Sequence, residues 1–128
     1  MKKKIKSVKK FHKAFGIGYQ KKPIAKLDDN KLKLRFDLMQ EENEEYLEAA
    51  KNDDLVEVAD ALGDMLYILC GTIIEHGMQY KISTVFNEIQ RSNMSKLGED
   101  GKPIYREDGK VMKGPNYFKP NIAEILDK

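Results

Sequence analysis

The sequence predicts an all-α protein: an antiparallel helical bundle of about four main helices, followed by a small C-terminal hairpin or loop extension. Three observations carry this expectation. Apolar residues recur at three- and four-residue spacing as far as Leu97, the repeat of a helix face. No glycine or proline interrupts the chain between Asp29 and Leu62. Asp-Gly turn signals appear only after Gly98, at Asp100-Gly101 and Asp108-Gly109. At 128 residues the chain is long enough to bury a core as one domain spanning positions 1–128.

The elements follow in order. Ile5, Val8, Phe11 and Phe15 share one face of a short first helix, which Gly16 stops. Gly18 to Asp29, with Pro23, reads as a loop. A long second helix runs from about Asn30 to Lys51, with Asp29 placed to cap it. Asn52-Asp53 breaks that helix, and Asp53 caps a third that lasts until Gly77. A fourth covers Ser83 to Leu97. Ile104-Tyr105 and Val111-Met112 pair as a hairpin around Asp108-Gly109. Pro120-Asn121 opens a last helical turn, where Asn121 and Glu124 have capping-box spacing.

Composition excludes several classes. Charged residues are about a third of the chain, with balanced signs and a formal charge of +2. That charge is too small to argue for nucleic acid or a membrane surface. The lysine-rich opening, Met1 to Lys10, lacks the apolar run of a signal peptide, and Met65 to Ile74 is far short of a membrane span. Cys70 is the sole cysteine, so no intrachain disulfide forms. A cytoplasmic protein is expected.

Two carboxylate clusters are the most informative feature: Glu41-Glu42-x-x-Glu45 and Glu57-x-x-Asp60-x-x-x-Asp64. Acids at such spacing project from one side of a helix. Glu45 falls in line with Leu34, Leu38 and Ala49, which turns it toward a protein interface. On the third helix Leu55, Ala59, Leu62, Leu66, Leu69 and Ile73 form a core stripe, with Glu57, Asp60 and Asp64 on the other side. Beyond Met65 the helix is apolar all round, so Asp64 stands at the mouth of a buried zone, where an unpaired carboxylate is costly. Gly63 beside it suggests close approach of another helix. Two acidic faces brought together need a hard cation, Mg²⁺ or alternatively Mn²⁺, because the ligands are oxygens without a His or Cys set.

Asn93 and Lys96 share a face with Ile82, Val85 and Ile89. A buried lysine calls for an anionic partner, and a phosphate is the natural one. His12 reads as a packed helix residue and His76 as a cation at a helix C-terminus. Neither has the Glu-x-x-His setting of a di-iron bundle.

Together these residues resemble the all-α nucleoside triphosphate pyrophosphohydrolase superfamily, which includes MazG proteins, dimeric dUTPases and phosphoribosyl-ATP pyrophosphohydrolases. Its signature is Glu-Glu-x-x-Glu followed by Glu-x-x-Asp on two antiparallel helices. Glu41, Glu42 and Glu45 match the first half. For the second half, Glu57-x-x-Asp60 fits the spacing literally, whereas Gly63-Asp64-Met65-Leu66-Tyr67 matches a Gly-Asp-Leu-Leu-Tyr/Phe block and makes Asp64 the terminal ligand, with Asp60 assisting. The stretch from Arg91 to Leu97, with Asp100-Gly-Lys and Asp108-Gly-Lys, resembles the phosphoribosyl-ATP pyrophosphohydrolase-like subgroup.

The resemblance implies Mg²⁺-dependent hydrolysis of a nucleoside triphosphate to the monophosphate and pyrophosphate. Glu41, Glu42 and Glu45 would be catalytic; Glu42, Glu45, Asp60 and Asp64 would hold metal; Asn93 and Lys96 would bind substrate. Phosphoribosyl-ATP hydrolysis in histidine biosynthesis is the alternative substrate reading, and a non-catalytic helical interaction module the alternative class. Helices apolar on two sides call for a homodimer, and the resemblance implies a dimer of dimers as the alternative. No nucleic-acid or membrane partner is expected.

Overall fold

Capping sets the helix boundaries. In the computed structural model, which describes residues 1–128, the chain forms α1 (Lys2–Ala14), α2 (Asp29–Lys51), α3 (Leu55–Glu75), α4 (Ile82–Met94) and α5 (Ile122–Asp127). Each of the two predicted caps moves by one residue. Asp28, not Asp29, caps α2, its Oδ1 accepting from the amides of Asn30 at 2.9 Å and Lys31 at 3.3 Å. Asp54, not Asp53, caps α3 by accepting from the Glu57 amide at 3.1 Å. Asp53 instead adopts a left-handed φ of 53°, which makes the elbow between the two long helices.

The chain falls into two compact units, Met1–Tyr80 and Lys81–Lys128. In the first, α2 and α3 run antiparallel. Near the start of α2, Arg35 Nη2 donates to the Ile68 carbonyl at 2.9 Å and Nε to Thr72 Oγ1 at 3.1 Å, close to the end of α3. Helix α1 lies on α3 through buried Ile5, Val8 and His12. The Phe11 ring meets Tyr67 edge-on at 5.7 Å. His12 keeps its predicted packed role, with Nδ1 2.9 Å from the Gly18 carbonyl.

The glycine that admits neighbouring groups is Gly71 rather than Gly63. A Cβ at Gly71 would lie 2.7 Å from Arg35 Nη2 and 2.9 Å from His12 Nε2, whereas one at Gly63 meets nothing within 4 Å. The segment after α1 straps the C-terminal end of α3. Ile24 N donates to the His76 carbonyl at 2.9 Å, and His76 Nδ1 donates back to the Ile24 carbonyl at 2.8 Å. His76 is thus a loop anchor and not simply a charge at a helix end. Gly77, at φ 68°, is required here because a Cβ would collide with the Lys22 carbonyl.

The expected core stripe of α3 is a correction. Leu55 is 81% exposed, and Leu62 and Leu69 are exposed too; of the stripe only Ile73 is buried and Leu66 half-buried, while the other buried residues are Ala61, Cys70, Gly71, Ile74 and Glu75. Phe36 and Leu47 on α2 are likewise uncovered, Phe36 at 67%. Helical phase located the apolar stripe correctly, but the side of α3 that meets α2 is the one bearing the acids.

In the second unit α4 ends at Met94, three residues before Leu97, and Ser92 is its buried residue. Ser92 Oγ donates to the Phe118 carbonyl at 2.8 Å, and the Phe118 amide donates to Ser95 Oγ at 3.1 Å. The predicted hairpin shrinks to a single antiparallel bridge between Tyr105 and Val111. Only half of the predicted capping box forms: Asn121 Oδ1 accepts from the Glu124 amide at 3.3 Å, but the Asn121 amide donates to Glu88 Oε2 at 2.7 Å rather than to Glu124. No helix is long and apolar enough to cross a membrane.

Candidate metal and phosphate site

The seam between α2 and α3 is built from two matching series. Arg35, Leu38, Glu42, Glu45 and Ala49 recur at alternating spacings of three and four on α2. Ala61, Asp64, Ile68, Gly71 and Glu75 do so on α3. Arg35, Ala49, Ala61, Gly71 and Glu75 are buried, and Leu38, Glu42, Asp64 and Ile68 half-buried; Glu45, expected to turn into an interface, is instead exposed at the edge of the seam. Both series therefore place ionisable groups where a helix pair ordinarily carries hydrocarbon.

One end of the seam is neutralised from within. Glu75 is buried, and its two oxygens face Lys31 Nζ at 3.5 Å and Arg35 Nε at 3.4 Å. The acidic stretch has no such provision. None of Glu41, Glu42, Glu45, Glu57, Asp60 and Asp64 has a basic side chain within ion-pair distance. Glu42 Oε2 is buried without a hydrogen-bond partner. Loss of solvent is the first cause that raises the Glu42 carboxyl from its ordinary 4.5 to about 7. A hydrogen bond with Glu45 and the charges of Glu45, Asp64 and Asp60 push the same way.

The structure thus brings Glu45, Asp60 and Asp64 within electrostatic reach of Glu42. Glu57 has no part in the Glu42 shift but lines a cavity of about 450 Å³ with Glu45, Glu48, Asn52, Asp54 and Asp60. Glu41 is exposed and outside that group. Asn93 and Lys96 lie in the second unit. Their expected shared buried face is corrected: Asn93 is exposed, and Lys96 is half-buried beyond the end of α4. The Lys96 carbonyl accepts from the Gly114 amide at 2.8 Å.

Sequence reasoning missed Glu48 as a cavity wall, although it stands three residues after Glu45 on the same side of α2. It also missed Arg35, whose position in the seam series was the available signal. No three acidic, His or Cys side chains are gathered into a ready-made ligand shell. That is compatible with Mg²⁺, which keeps several waters and is usually bound by one or two carboxylates plus substrate phosphates. The orphaned Glu42 oxygen beside a second carboxylate is the observation that fits such an ion.

Comparison with known proteins agrees. No curated protein matches the chain. The crystal structure of a candidate NTP pyrophosphohydrolase from Exiguobacterium sp. 255-15 is similar, at 26% identity and a TM-score of 0.51, covering 97% of this chain and 92% of that one. The family model for phosphoribosyl-ATP pyrophosphohydrolase matches residues 8–93, which include α2, α3 and every carboxylate of the seam. The chain belongs to the phosphoribosyl-ATP pyrophosphohydrolase family and is an all-α pyrophosphohydrolase.

Proposed function

We propose that the protein is a Mg²⁺-dependent nucleoside triphosphate pyrophosphohydrolase, cleaving the α–β phosphoanhydride to give the monophosphate and pyrophosphate. The observation that carries this reading is Glu42: a half-buried carboxylate, crowded by Glu45, Asp64 and Asp60, with no cation of the protein beside it. Glu42 and Glu45 would hold Mg²⁺, with Asp64 and Asp60 completing the shell from α3. When bound, the ion neutralises phosphate oxygens and lowers the pKa of a coordinated water.

The protein's own groups do the rest. Glu41 is exposed and outside the cluster, and its carboxylate, uncommitted to metal, would orient or deprotonate an attacking water. The cavity bounded by Glu45, Glu57 and Asp60 is of a size to receive a polyphosphate. Asn93 and Lys96 would supply an amide and an ammonium to substrate. A homodimer would cover Leu55, Leu62, Leu69 and Phe36 and complete the bundle.

The deciding assay is product identification by mass after incubation with a panel of ribo-, deoxyribo- and modified triphosphates. Phosphoribosyl-ATP joins the panel because the matching family model carries its name. Monophosphate with pyrophosphate from a triphosphate, abolished by chelation, is the expected outcome. Orthophosphate release, or turnover of phosphoribosyl-ATP alone, would overturn the substrate reading.

A pH-dependent melt tests the site without turnover. The folded protein keeps a proton on Glu42 that the unfolded chain has released, between the ordinary 4.5 and about 7. The metal-free fold should therefore lose stability as pH rises through that window. Mg²⁺ should restore it, raising the melting temperature by several degrees at pH values above about 7 and much less near 5. A Mg²⁺ shift that is equal at both ends would remove Glu42 from the metal shell.

A further inference from the structure

The formal charge of +2 conceals a strong asymmetry. Residues 1–27 contain ten lysines and no carboxylate, while the remainder carries thirteen basic side chains against twenty-one acidic ones. None of the ten lysines enters an ion pair. Lys3, Lys6, Lys9, Lys10 and Lys13 line one concavity of about 590 Å³ on the outer side of α1, with Ser7. Lys9 and Lys13 also sit over the Tyr19 ring, at 4.6 and 5.9 Å.

This arrangement is unfavourable for the helix alone. Lys3–Lys6, Lys6–Lys10, Lys9–Lys13 and Lys10–Lys13 are like-charge pairs three or four residues apart, which destabilise a helix. Basic residues also crowd its first turn, which has no acidic residue and no side-chain cap. A bound polyanion would reverse every one of these terms.

We propose that the lysine face of α1 binds the phosphate backbone of single-stranded nucleic acid, without sequence preference. From Lys3 to Lys13 the ammonium groups extend about 15 Å along the helix, enough for a few successive phosphates. Lysine is a point charge rather than a planar fork, suited to phosphates and not to reading base edges. The half-buried Tyr19 ring, beside Lys9 and Lys13, is an aromatic surface next to these lysines on which an unpaired base can lie. An anionic bilayer is the weaker fit, because the apolar side of α1, Ile5 and Val8, is already buried against α3 and cannot insert.

The test is fluorescence anisotropy of the full chain with a labelled oligothymidylate. Log affinity should fall linearly with log salt between about 50 and about 200 mM, with a slope near −0.7 per neutralised phosphate, or about −3 for four lysines. The variant K3Q/K6Q/K10Q/K13Q should bind at least tenfold more weakly, melt no lower than the parent, and keep its triphosphate turnover. Salt-insensitive binding, equal binding by the variant, or tighter capture of a duplex than of the single strand would overturn the proposal. So would variant-sensitive capture of phosphatidylserine vesicles without oligonucleotide binding. Because affinity is read without turnover, the outcome is independent of the catalytic reading.

Discussion

Glu45→Gln is expected to yield a folded protein that releases pyrophosphate at least a hundredfold more slowly, the equivalent of about 2.7 kcal/mol of lost transition-state stabilisation. The substitution keeps size and polarity but removes one of the three negative groups that act on Glu42. It also withdraws the main side-chain neighbour that holds the Glu42 proton. Glu42 should then titrate closer to an ordinary carboxylate, and the metal-free protein should melt at or above the parent temperature because repulsion is relieved. Thermal melts and a pyrophosphate-coupled assay separate the two effects. Near-normal turnover would take Glu45 out of the metal shell, and loss of the fold would mean that its role is architectural.

The second large effect concerns Arg35. Removing the guanidinium by Arg35→Ala leaves Glu75 buried with only Lys31 nearby, at 3.5 Å, and also empties the bonds to Ile68 and Thr72. Breaking one side of a buried ion pair costs about 3–5 kcal/mol. For a chain of this size that is a fall in melting temperature of roughly 10–20 °C. The double variant Arg35→Met with Glu75→Leu should recover most of the loss, since it removes both charges and refills the volume. Burial pulls the Arg35 guanidinium down from its ordinary value and Glu75 opposes that, so the pair is mutually dependent. An unchanged denaturation midpoint in Arg35→Ala would show that water already solvates Glu75.

The two long helices were legible because their boundaries have local chemical causes. Gly16, Gly77 and the acidic caps are readable, and Asn121 caps α5 as its spacing to Glu124 implies, although its own amide turns to Glu88. The one-residue displacement of both caps comes from a choice between adjacent aspartates, Asp28 or Asp29 and Asp53 or Asp54, which sequence spacing does not separate. Periodicity found the leucine stripe of α3, but periodicity cannot say which side of a helix another helix will cover. In this chain the acid-bearing side meets α2 and the leucines face outward. Arg35 was hidden for a related reason: a cation among Lys31, Lys33 and Asp37 reads as surface until Glu75, forty positions later, is found beside it. The acids of the site were visible because four carboxylates in five residues are unusual; their common reach around Glu42 needed coordinates.

The ion pair at one end of the α2–α3 seam also fixes how the two helices align. Leucines are interchangeable, so a purely hydrocarbon seam could shear by one helical turn, about 5.4 Å, and still be packed. Here such a slip would part Arg35 from Glu75 and strand both in the protein interior, a penalty confined to the wrong alignment. The ion pair therefore acts as a register lock, keeping Glu42 and Glu45 level with Asp60 and Asp64.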